Sequence, residues 1–363
     1  MRLAAILVHY HTPDLAASAV EVLRADAAGT GLEMEWLLVD NGSDEAERAQ
    51  LESLPVRRID AGGNLGYAGG INLGVARSSA EILLLMNPDV IVLPGCVPAL
   101  IDRLRAGAAV AGPCFFWDHG RRMRLPPAER RSRRQEVASL LAGRGEGWAA
   151  RARHRWRDHA RRHWEATSPL PSHCLSGSLI ALSRPAWEAV GPFDEGFRLF
   201  FEETDWLLRA ARRGVPSWYV PGAEAVHLYG RSAAREPRAR AGFEESARRF
   251  RRRHYGNGFA RFLEGLDRRL PRPSGLPSLP PVPPEGLDLA GIKAPYPLWV
   301  EVSPNPEGFP AAAEVLWEPP AGPWCLSEEI TARMPAGPWI VQVTDAKGRE
   351  VLRRSLARAG GEA

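Results

Sequence analysis

The feature that most constrains the fold is an alternation, over the first hundred residues, of apolar runs with amphipathic stretches of helical period. The apolar runs are LAAILVHY, MEWLLVDNGS and EILLLMNPDVIV, and the amphipathic stretches between them include LAASAVEVLRAD and AERAQLESL. Runs that are buried on both faces and separated by helices are typical of a parallel sheet with crossover helices. The sequence therefore predicts an α/β fold.

Each apolar run ends in a polar cluster, and in parallel α/β sheets ligands bind outside the carboxyl ends of the strands. Asp89 follows one such run, after Asn87 and Pro88. A buried carboxylate there needs a cation or a cleft, because desolvating its charge is costly. A diphosphate carried by Mg²⁺ or Mn²⁺ would supply that cation, since hard ions bind carboxylate and phosphate oxygens. An ordinary Asn-Pro-Asp turn is the structural alternative.

The stretch GGNLGYAGGINLG is rich in glycine and contains Asn64 and Asn72. Glycines let backbone amides approach a ligand closely, and asparagine offers both a donor and an acceptor. Four of the six asparagines fall between residues 41 and 87, a concentration that fits either a binding site or a set of turns. The stretch lacks the GxGxxG spacing, which disfavours a dinucleotide-binding fold.

A second acidic group, Glu202, Glu203 and Asp205, stands at the predicted start of a helix. Clustered carboxylates raise one another's pKa, whereas a helix N-terminus or a nearby metal lowers it, so one of them can serve as a general base. Capping of the helix by acids is the structural alternative. His227 follows a further apolar stretch and is a candidate metal ligand or diphosphate contact, although a lone histidine in a loop is usually structural.

Residues 118–173 interrupt the α/β pattern with a strongly basic insert. Within it, tryptophan and alanine recur every four residues along one side of a predicted helix whose other faces carry arginine. These residues are Trp148, Ala152, Trp156, Ala160 and Trp164. One interpretation is a solvated helix that packs on the catalytic domain through this stripe. The other is a surface helix that docks on anionic lipid headgroups.

The C-terminal third divides at a proline-rich segment, whose composition fits a stiff linker better than a helix or an inner strand. Beyond it, period-two alternation and the turn sequence DAKG predict a small β-sandwich. Trp317 and Trp339 share faces with valines and are expected in its core, and so is Trp299, a weaker candidate for stacking on a sugar. The predicted domains are a catalytic domain at 1–265, a linker at 266–297 and a sandwich at 298–363.

Composition disfavours several kinds of chemistry. The two lysines, Lys293 and Lys347, do not follow a glycine-rich loop, which argues against a P-loop or a Schiff base. The four cysteines have no CxxC spacing, so neither a zinc site nor a disulfide framework is indicated, and a reducing cytosol is expected. No window approaches the ~18 to 20 apolar residues of a membrane span, so we expect a cytoplasmic protein whose membrane contact, if any, is peripheral at the inner face.

The ordered set of motifs resembles the rhamnosyltransferase-type branch of the family 2 glycosyltransferases, which have a GT-A fold. These motifs are VDNGSD, NLGYAGGINLG, NPDV, VGPFDEGF, EETDW with Arg209, and VHLYGRS, and they cover roughly residues 1–232. The resemblance implies an inverting transfer of a sugar from a dTDP-, UDP- or GDP-linked donor to a hydroxyl acceptor. It also implies a role in cell-surface polysaccharide or glycolipid synthesis, with a polyprenyl-linked saccharide as one such acceptor.

The same resemblance implies roles for individual residues. The implied donor-binding residues are His9, Tyr10, Thr12, Asp40, Asn41, Gly42, Asn64, Gly66, Gly70, Asn87 and Asp89. Asn87 and Asp89 stand at the DXD-like motif, where Asn87 replaces the first acid. The implied ligands of a divalent metal, Mn²⁺ or Mg²⁺, are Asp89 and His227. Glu203 is the implied base, with Glu202 and Asp205 orienting the base or the acceptor.

Two other functional classes fit parts of the pattern. A sugar-phosphate nucleotidyltransferase would use a related sheet and metal, but it would be expected to carry a basic glycine-rich loop near the N-terminus, where this chain has VHYHTP. A non-catalytic scaffold that binds sugar nucleotides would hold the donor without turnover. Nucleic-acid binding is disfavoured, because the arginines lie in one insert without a recognised nucleic-acid module.

Overall fold

The computed structural model of the chain describes residues 1–197, 199–228, 239–271 and 279–358. Residues 229–232 of the VHLYGRS motif and 272–278 of the expected linker lie outside the described residues. The chain divides into two compact units. The first is Met1–Phe115 with Pro127–Arg130 and Ala166–Arg261, and the second is Phe116–Pro126 with Arg131–Glu165 and Phe262–Ala363.

The elements follow one another along the chain in the alternating order that the sequence predicts for its first part. The strands are β1 (Arg2–His9), β2 (Glu33–Asp40), β3 (Arg57–Asp60), β4 (Ile82–Met86), β5 (Val90–Val92), β6 (Val110–Phe116), β7 (Leu170–Pro171), β8 (Leu179–Ser183), β9 (Ser217–His227), β10 (Leu298–Ser303), β11 (Ala312–Leu316), β12 (Gly337–Thr344) and β13 (Glu350–Arg358). The helices are α1 (Pro13–Ala27), α2 (Glu45–Glu52), α3 (Gly66–Ala76), α4 (Cys96–Arg105), α5 (Arg133–Ala142), α6 (Glu146–Trp164), α7 (Arg184–Val190), α8 (Glu202–Arg212), α9 (Ala239–Arg269, kinked at Gly256) and α10 (Glu328–Arg333).

The first unit is built on a mixed sheet with strand order β3-β2-β1-β4-β8-β6-β9-β5, to which β7 adds by pairing with β9. Strands β1 to β4 pair in parallel, with His9 opposite Asp40 and Leu7 opposite Met86. All of β4, and β1 beyond Arg2, are buried, as expected of strands covered by helices on both faces. The predicted α/β fold is confirmed, and the carboxyl ends of β1, β2 and β4 lie at one edge.

The second unit contains a four-stranded antiparallel sheet of order β11-β10-β12-β13. One of its faces packs on α6, where Trp156, Ala160 and Trp164 share a buried cluster with Trp299. The rings of Trp164 and Trp299 are stacked with centroids 5.5 Å apart. The predicted antiparallel sheet is therefore present, but its facing layer is a helix from the insert instead of a second sheet. These three residues of the stripe pack on this sheet and not, as the first interpretation had it, on the catalytic domain, whereas Trp148 is 48% exposed.

The tryptophans of the C-terminal sheet test the period-two pattern residue by residue. Trp299 and Trp339 are buried in the core, as predicted. The prediction for Trp317 is wrong, because its side chain is 71% exposed. β11 ends at Leu316, so the alternation that would turn residue 317 toward the core has already stopped.

Arginines on the inner side of α6 are buried with polar partners. Arg157 Nε donates to both carboxylate oxygens of Glu301, at 2.9 and 2.8 Å, and Arg161 Nη2 donates to Thr344 Oγ1 at 2.7 Å. Burial raises the pKa of Glu301 even though Arg157 opposes the shift. The arginines of the insert therefore lie partly in the interior of the second unit.

Across the described part of the chain, every helix is too short or too polar to span a bilayer.

Candidate active site

The carboxyl ends of β1 and β2 bring His9 and Asp40 side by side, and both side chains are buried. Asp40 Oδ1 accepts a hydrogen bond from the Ser43 backbone at 2.9 Å, and Oδ2 accepts one from Arg58 Nη1 at 2.9 Å. Burial raises the pKa of Asp40, but these hydrogen bonds outweigh it and hold the pKa below its ordinary value. Asp40 therefore carries its charge at neutral pH.

The last residue of β1 is a neutral, buried histidine. His9 Nδ1 lies 3.4 Å from Thr12 Oγ1, whereas its Nε2 has no hydrogen-bond partner among the described residues. Burial lowers the pKa of His9. Tyr10 is half-buried, and its ring lies 4.4 Å from that of His11, whose φ of 51° turns the chain sharply here. The ring nitrogen of His9 that is unpaired among the described residues is thus a candidate contact for a ligand.

Asn41 fastens the glycine-rich loop to the end of β2. Its Nδ2 donates to Asn64 Oδ1 at 3.2 Å and to the Gly66 carbonyl at 3.3 Å, and its Oδ1 accepts from the Leu65 backbone at 2.8 Å. Gly42 and Gly66 have φ values of 116° and 73°, in the region that favours glycine. Asn41 therefore shapes the pocket by holding this loop in place.

The other glycines of that stretch allow α3 to lie close to the sheet. A Cβ on Gly70 would be 2.7 Å from Val8 Cγ1, and one on Gly74 would be 2.4 Å from Ile6 Cγ2. Asn72 exchanges hydrogen bonds of 3.0 Å with the backbone N–H and carbonyl of Phe193. The structure thus places Gly70 at a contact between helix and strand.

Antiparallel pairing of β5 with β9 brings Asp89 and His227 together. Val90 lies opposite His227, and the Leu228 backbone N–H donates to the Asp89 carbonyl at 2.9 Å. Asp89 Oδ1 lies 3.5 Å from His227 Nε2, with the carboxylate buried. Asn87 Oδ1 is also buried and lacks a hydrogen-bond partner among the described residues. These are the three polar groups that the sequence proposed for the diphosphate and metal.

A three-residue loop that the sequence analysis missed adjoins this pair. We call it the serine–glycine loop, Ser176 to Ser178. Ser178 Oγ lies 3.5 Å from His227 Nε2, and Ser176 Oγ donates to Ser178 Oγ at 3.2 Å. The Asn87 backbone N–H donates to the Ser178 carbonyl at 2.9 Å. The only sequence signal was the pair of hydroxyls and the glycine just before the apolar run of β8.

The first turn of α8 carries the acidic pair, and Glu203 packs directly on the serine–glycine loop. A Cβ added to Gly177 would lie 2.7 Å from Glu203 Cγ. Glu202 is buried and its Oε2 lacks a hydrogen-bond partner among the described residues. Burial raises the pKa of Glu202 well above its ordinary value, and the charge of Glu203 adds to the shift. Glu203, the member of the pair that contacts the serine–glycine loop, is the base candidate.

Asp205, in the first turn of α8, is engaged by two arginines and a histidine. Arg209 Nε and His254 Nε2 lie 2.8 Å from its two carboxylate oxygens, and Arg253 Nε lies at 2.9 Å. Burial raises the pKa of Asp205, but these partners outweigh it and the pKa is lowered. The carboxylate of Asp205 therefore joins α8 to α9.

The chain enters α8 through two strained residues. Phe200 and Phe201 have φ values of 67° and 71°, which is rare for residues other than glycine. Their rings are held by α9, with Phe200 to Phe243 and Phe201 to Phe250 at centroid distances of 5.6 and 5.5 Å. Strain of this kind persists only where the surroundings over-determine it, and it clusters at active sites. Here it fixes the direction of the turn that carries the acidic pair.

Comparison with known proteins decides the family. A family model described as "Glycosyl transferase family 2" matches residues 5–162. The N-acetylglucosaminyl-diphospho-decaprenol L-rhamnosyltransferase of Mycobacterium tuberculosis is 31% identical over 223 residues, which cover 55% of this chain and 68% of that protein. The chain belongs to glycosyltransferase family 2. A second family relative, the low-salt glycan biosynthesis hexosyltransferase Agl10 of Haloferax volcanii, is 24% identical over 198 residues, 53% of this chain and 58% of Agl10.

This family 2 enzyme is a nucleotide-sugar glycosyltransferase of the hexosyltransferase type that acts in glycan biosynthesis, as the motifs predict. The mixed α/β sheet and the separate small antiparallel sheet that the sequence predicts are both present. Among solved structures, it is similar to the mannosyltransferase PcManGT of Pyrobaculum calidifontis in complex with GDP-Man and Mn²⁺. That superposition has a TM-score of 0.43 with 14% identity over 73% of each chain.

Proposed function

We propose that the enzyme transfers a sugar from a nucleotide-diphosphate donor to an acceptor hydroxyl in a single displacement with inversion, and that Glu203 is the general base. The observation that carries this proposal is the serine–glycine loop. Its Gly177 contacts Glu203 and its Ser178 lies 3.5 Å from His227, the neighbour of Asp89. The base and the groups suited to a diphosphate therefore border the same three residues.

In this reaction Glu203 removes the proton of the acceptor hydroxyl as the oxygen forms its bond to the anomeric carbon. The bond from that carbon to the diphosphate breaks, and its electron pair leaves with the nucleoside diphosphate. One displacement inverts the configuration. Backbone amides of the glycine-rich loop are the groups suited to stabilise charge on the departing oxygens.

A divalent cation, Mn²⁺ or Mg²⁺, fits the donor set beside the loop. The described residues contain no self-contained cluster of three or more His, Cys, Asp or Glu side chains. Asp89 and His227 would hold the ion, and such ions are commonly bound by one or two protein groups together with substrate phosphates. When bound it would neutralise charge on the diphosphate. Asn87 would contribute an oxygen without a charge, so we propose a metal site that is weak without the donor.

For the rest of the donor we propose the loop after β1 and the turn after β2. The neutral His9, with its buried Nε2, is suited to a hydrogen bond with a nucleobase. The ionised Asp40 lies beside it and can accept from base or ribose. The remaining donor-binding residues in this proposal are Tyr10, Thr12, Gly42, Asn64 and Gly66, with Asn41 and Gly70 acting by holding the loop and α3.

For the acceptor we propose a polyprenyl-linked saccharide, because the Mycobacterium relative is a rhamnosyltransferase named for N-acetylglucosaminyl-diphospho-decaprenol. Contact with the inner membrane face would then involve the outer side of α6, where Arg151, Arg155 and Arg162 are exposed and Trp148 is 48% exposed. Neutralising the three arginines together should weaken binding to anionic liposomes. Unchanged binding would reject this surface.

The test of the function is a donor screen followed by a transfer assay. We expect one dTDP-, UDP- or GDP-sugar to raise the apparent Tm, more strongly with Mn²⁺, because a ligand stabilises in proportion to the logarithm of its concentration over Kd. That donor should then glycosylate a polyprenyl-diphosphate N-acetylglucosamine acceptor, with inverted configuration by NMR. Retention of configuration would overturn the displacement. Donor binding without turnover against an acceptor panel would favour the scaffold alternative.

A further inference from the structure

We propose that Tyr67 is a positioning residue that sets the place of Glu203 through the serine–glycine loop. The inference rests on the proposed role of Glu203 as base. Tyr67 belongs to the first turn of α3, in the glycine-rich stretch, and no role was predicted for it from the motifs. It therefore connects the donor side of the site with the base.

The argument begins with one hydrogen bond. The Tyr67 hydroxyl donates to the Gly177 carbonyl at 3.1 Å, joining two segments 110 residues apart in the chain. Gly177 in turn lies against Glu203, whose Cγ and Cβ would be 2.7 and 2.9 Å from a Cβ at position 177. Contacts thus run from the Tyr67 hydroxyl through the Gly177 carbonyl and backbone to the side chain of Glu203.

The hydrogen bond persists only while the phenol keeps its proton. Burial raises the pKa of Tyr67 well above its ordinary value, and the negative charges of Glu202, Glu203 and Asp89 add to the shift. The hydroxyl therefore remains a donor throughout the pH range in which an enzyme of this kind would work. The same three charges show that the phenol lies among the acidic groups of the site.

Loss of the hydroxyl would release the loop without removing any group proposed to touch the donor's base or ribose. Small displacements of a catalytic group, of the order of 1 Å, can cost about 100-fold in rate. Tyr67 should therefore affect kcat and leave donor affinity nearly unchanged. A residue with a purely structural role would lower stability, and kcat per folded enzyme would then match that of the wild type.

The test is Tyr67→Phe, which deletes only the hydroxyl, with Tyr255→Phe as the matched control. Tyr255 is a buried tyrosine of α9. We expect Tyr67→Phe to lower kcat by about 10- to 100-fold with donor Kd within about twofold, in line with the cost of a displaced catalytic group. The control should keep wild-type kcat. A Tyr67→Phe enzyme with unchanged kcat would overturn the inference.

A double-mutant cycle with Glu203→Asp tests whether Tyr67 acts through the base. If the loop positions Glu203, the two losses should combine to less than their product, because residues that act as a unit are not additive. Losses that multiply would show that Tyr67 acts independently of Glu203 and would overturn the inference. Wild-type enzyme that is inactive across the donor and acceptor panels would instead remove the proposed function.

Discussion

Gly177 lies so close to Glu203 that no larger residue fits between the serine–glycine loop and the base: a Cβ there would be 2.7 Å from Glu203 Cγ. Since Gly177 has no positive φ, this contact alone demands glycine. Gly177→Ala should displace Glu203. It should lower kcat by about 100-fold, because moving a catalytic group by about 1 Å has an effect of that size on the rate. The matched control is Gly222→Ala in β9, where an added Cβ meets nothing within 4 Å. Equal kcat in the two variants would contradict the proposed placement of the base.

Asp205 should matter for stability because it joins α8 to α9. Asp205→Asn leaves Arg209, Arg253 and His254 without their shared carboxylate and should destabilise by about 3 kcal/mol, as expected when one member of a buried ionic group is removed. Urea unfolding measures this. Asp102→Asn, whose exposed carboxylate pairs with Arg105 one turn away, should change the free energy of unfolding by less than about 0.5 kcal/mol. Similar values for the two would contradict the network.

Glu202 should make stability depend on pH. Its pKa is raised above the ordinary 4.5, so over the window above that value the folded protein holds a proton that the unfolded chain has released. The contribution of Glu202 is therefore fully present below the unfolded-state pKa and is lost as pH rises through the folded-state pKa. Glu202→Gln cannot titrate at this position. The Tm of the variant minus the Tm of the wild type should therefore increase as pH rises. A difference that is constant with pH would contradict this.

Arg157 and Glu301 should show the behaviour of a buried ion pair in the second unit. Arg157→Ala leaves a buried carboxylate and should destabilise by about 3 to 5 kcal/mol, whereas Arg157→Met combined with Glu301→Leu should be close to neutral. Tryptophan fluorescence reports the unfolding, since Trp156, Trp164 and Trp299 share the same buried cluster. A double variant that is no more stable than Arg157→Ala would contradict the interpretation.

The sequence predicted the groups of the site better than their arrangement. Asp89 was found because a charge follows a wholly apolar run, and His227 because of its motif, but only the antiparallel register of β5 and β9 brings them within 3.5 Å. Asp205 lies in the same motif as Glu203, but its partners Arg253 and His254 come from α9. No local sequence pattern predicts these partners. Short-range pattern identifies residue types, whereas their partners depend on contacts distant in the chain.

The insert illustrates the same limit. A four-residue period correctly predicts a helix and places Trp156 and Trp164 on its buried side, but the prediction is wrong for Trp148, which is 48% exposed. Periodicity does not say what that side contacts, because any apolar surface would satisfy it. The surface proved to be the face of the C-terminal sheet that carries Trp299.

Glu203→Gln, measured for both donor binding and sugar transfer, tests the central claim most directly. The amide keeps the size of the side chain and its contact with Gly177 but is a far weaker base than a carboxylate. We expect donor Kd to stay within about twofold and kcat to fall by about 100- to 10,000-fold, the usual contribution of a general base. Transfer at the wild-type rate with this variant would contradict the assignment of Glu203 and the mechanism built on it.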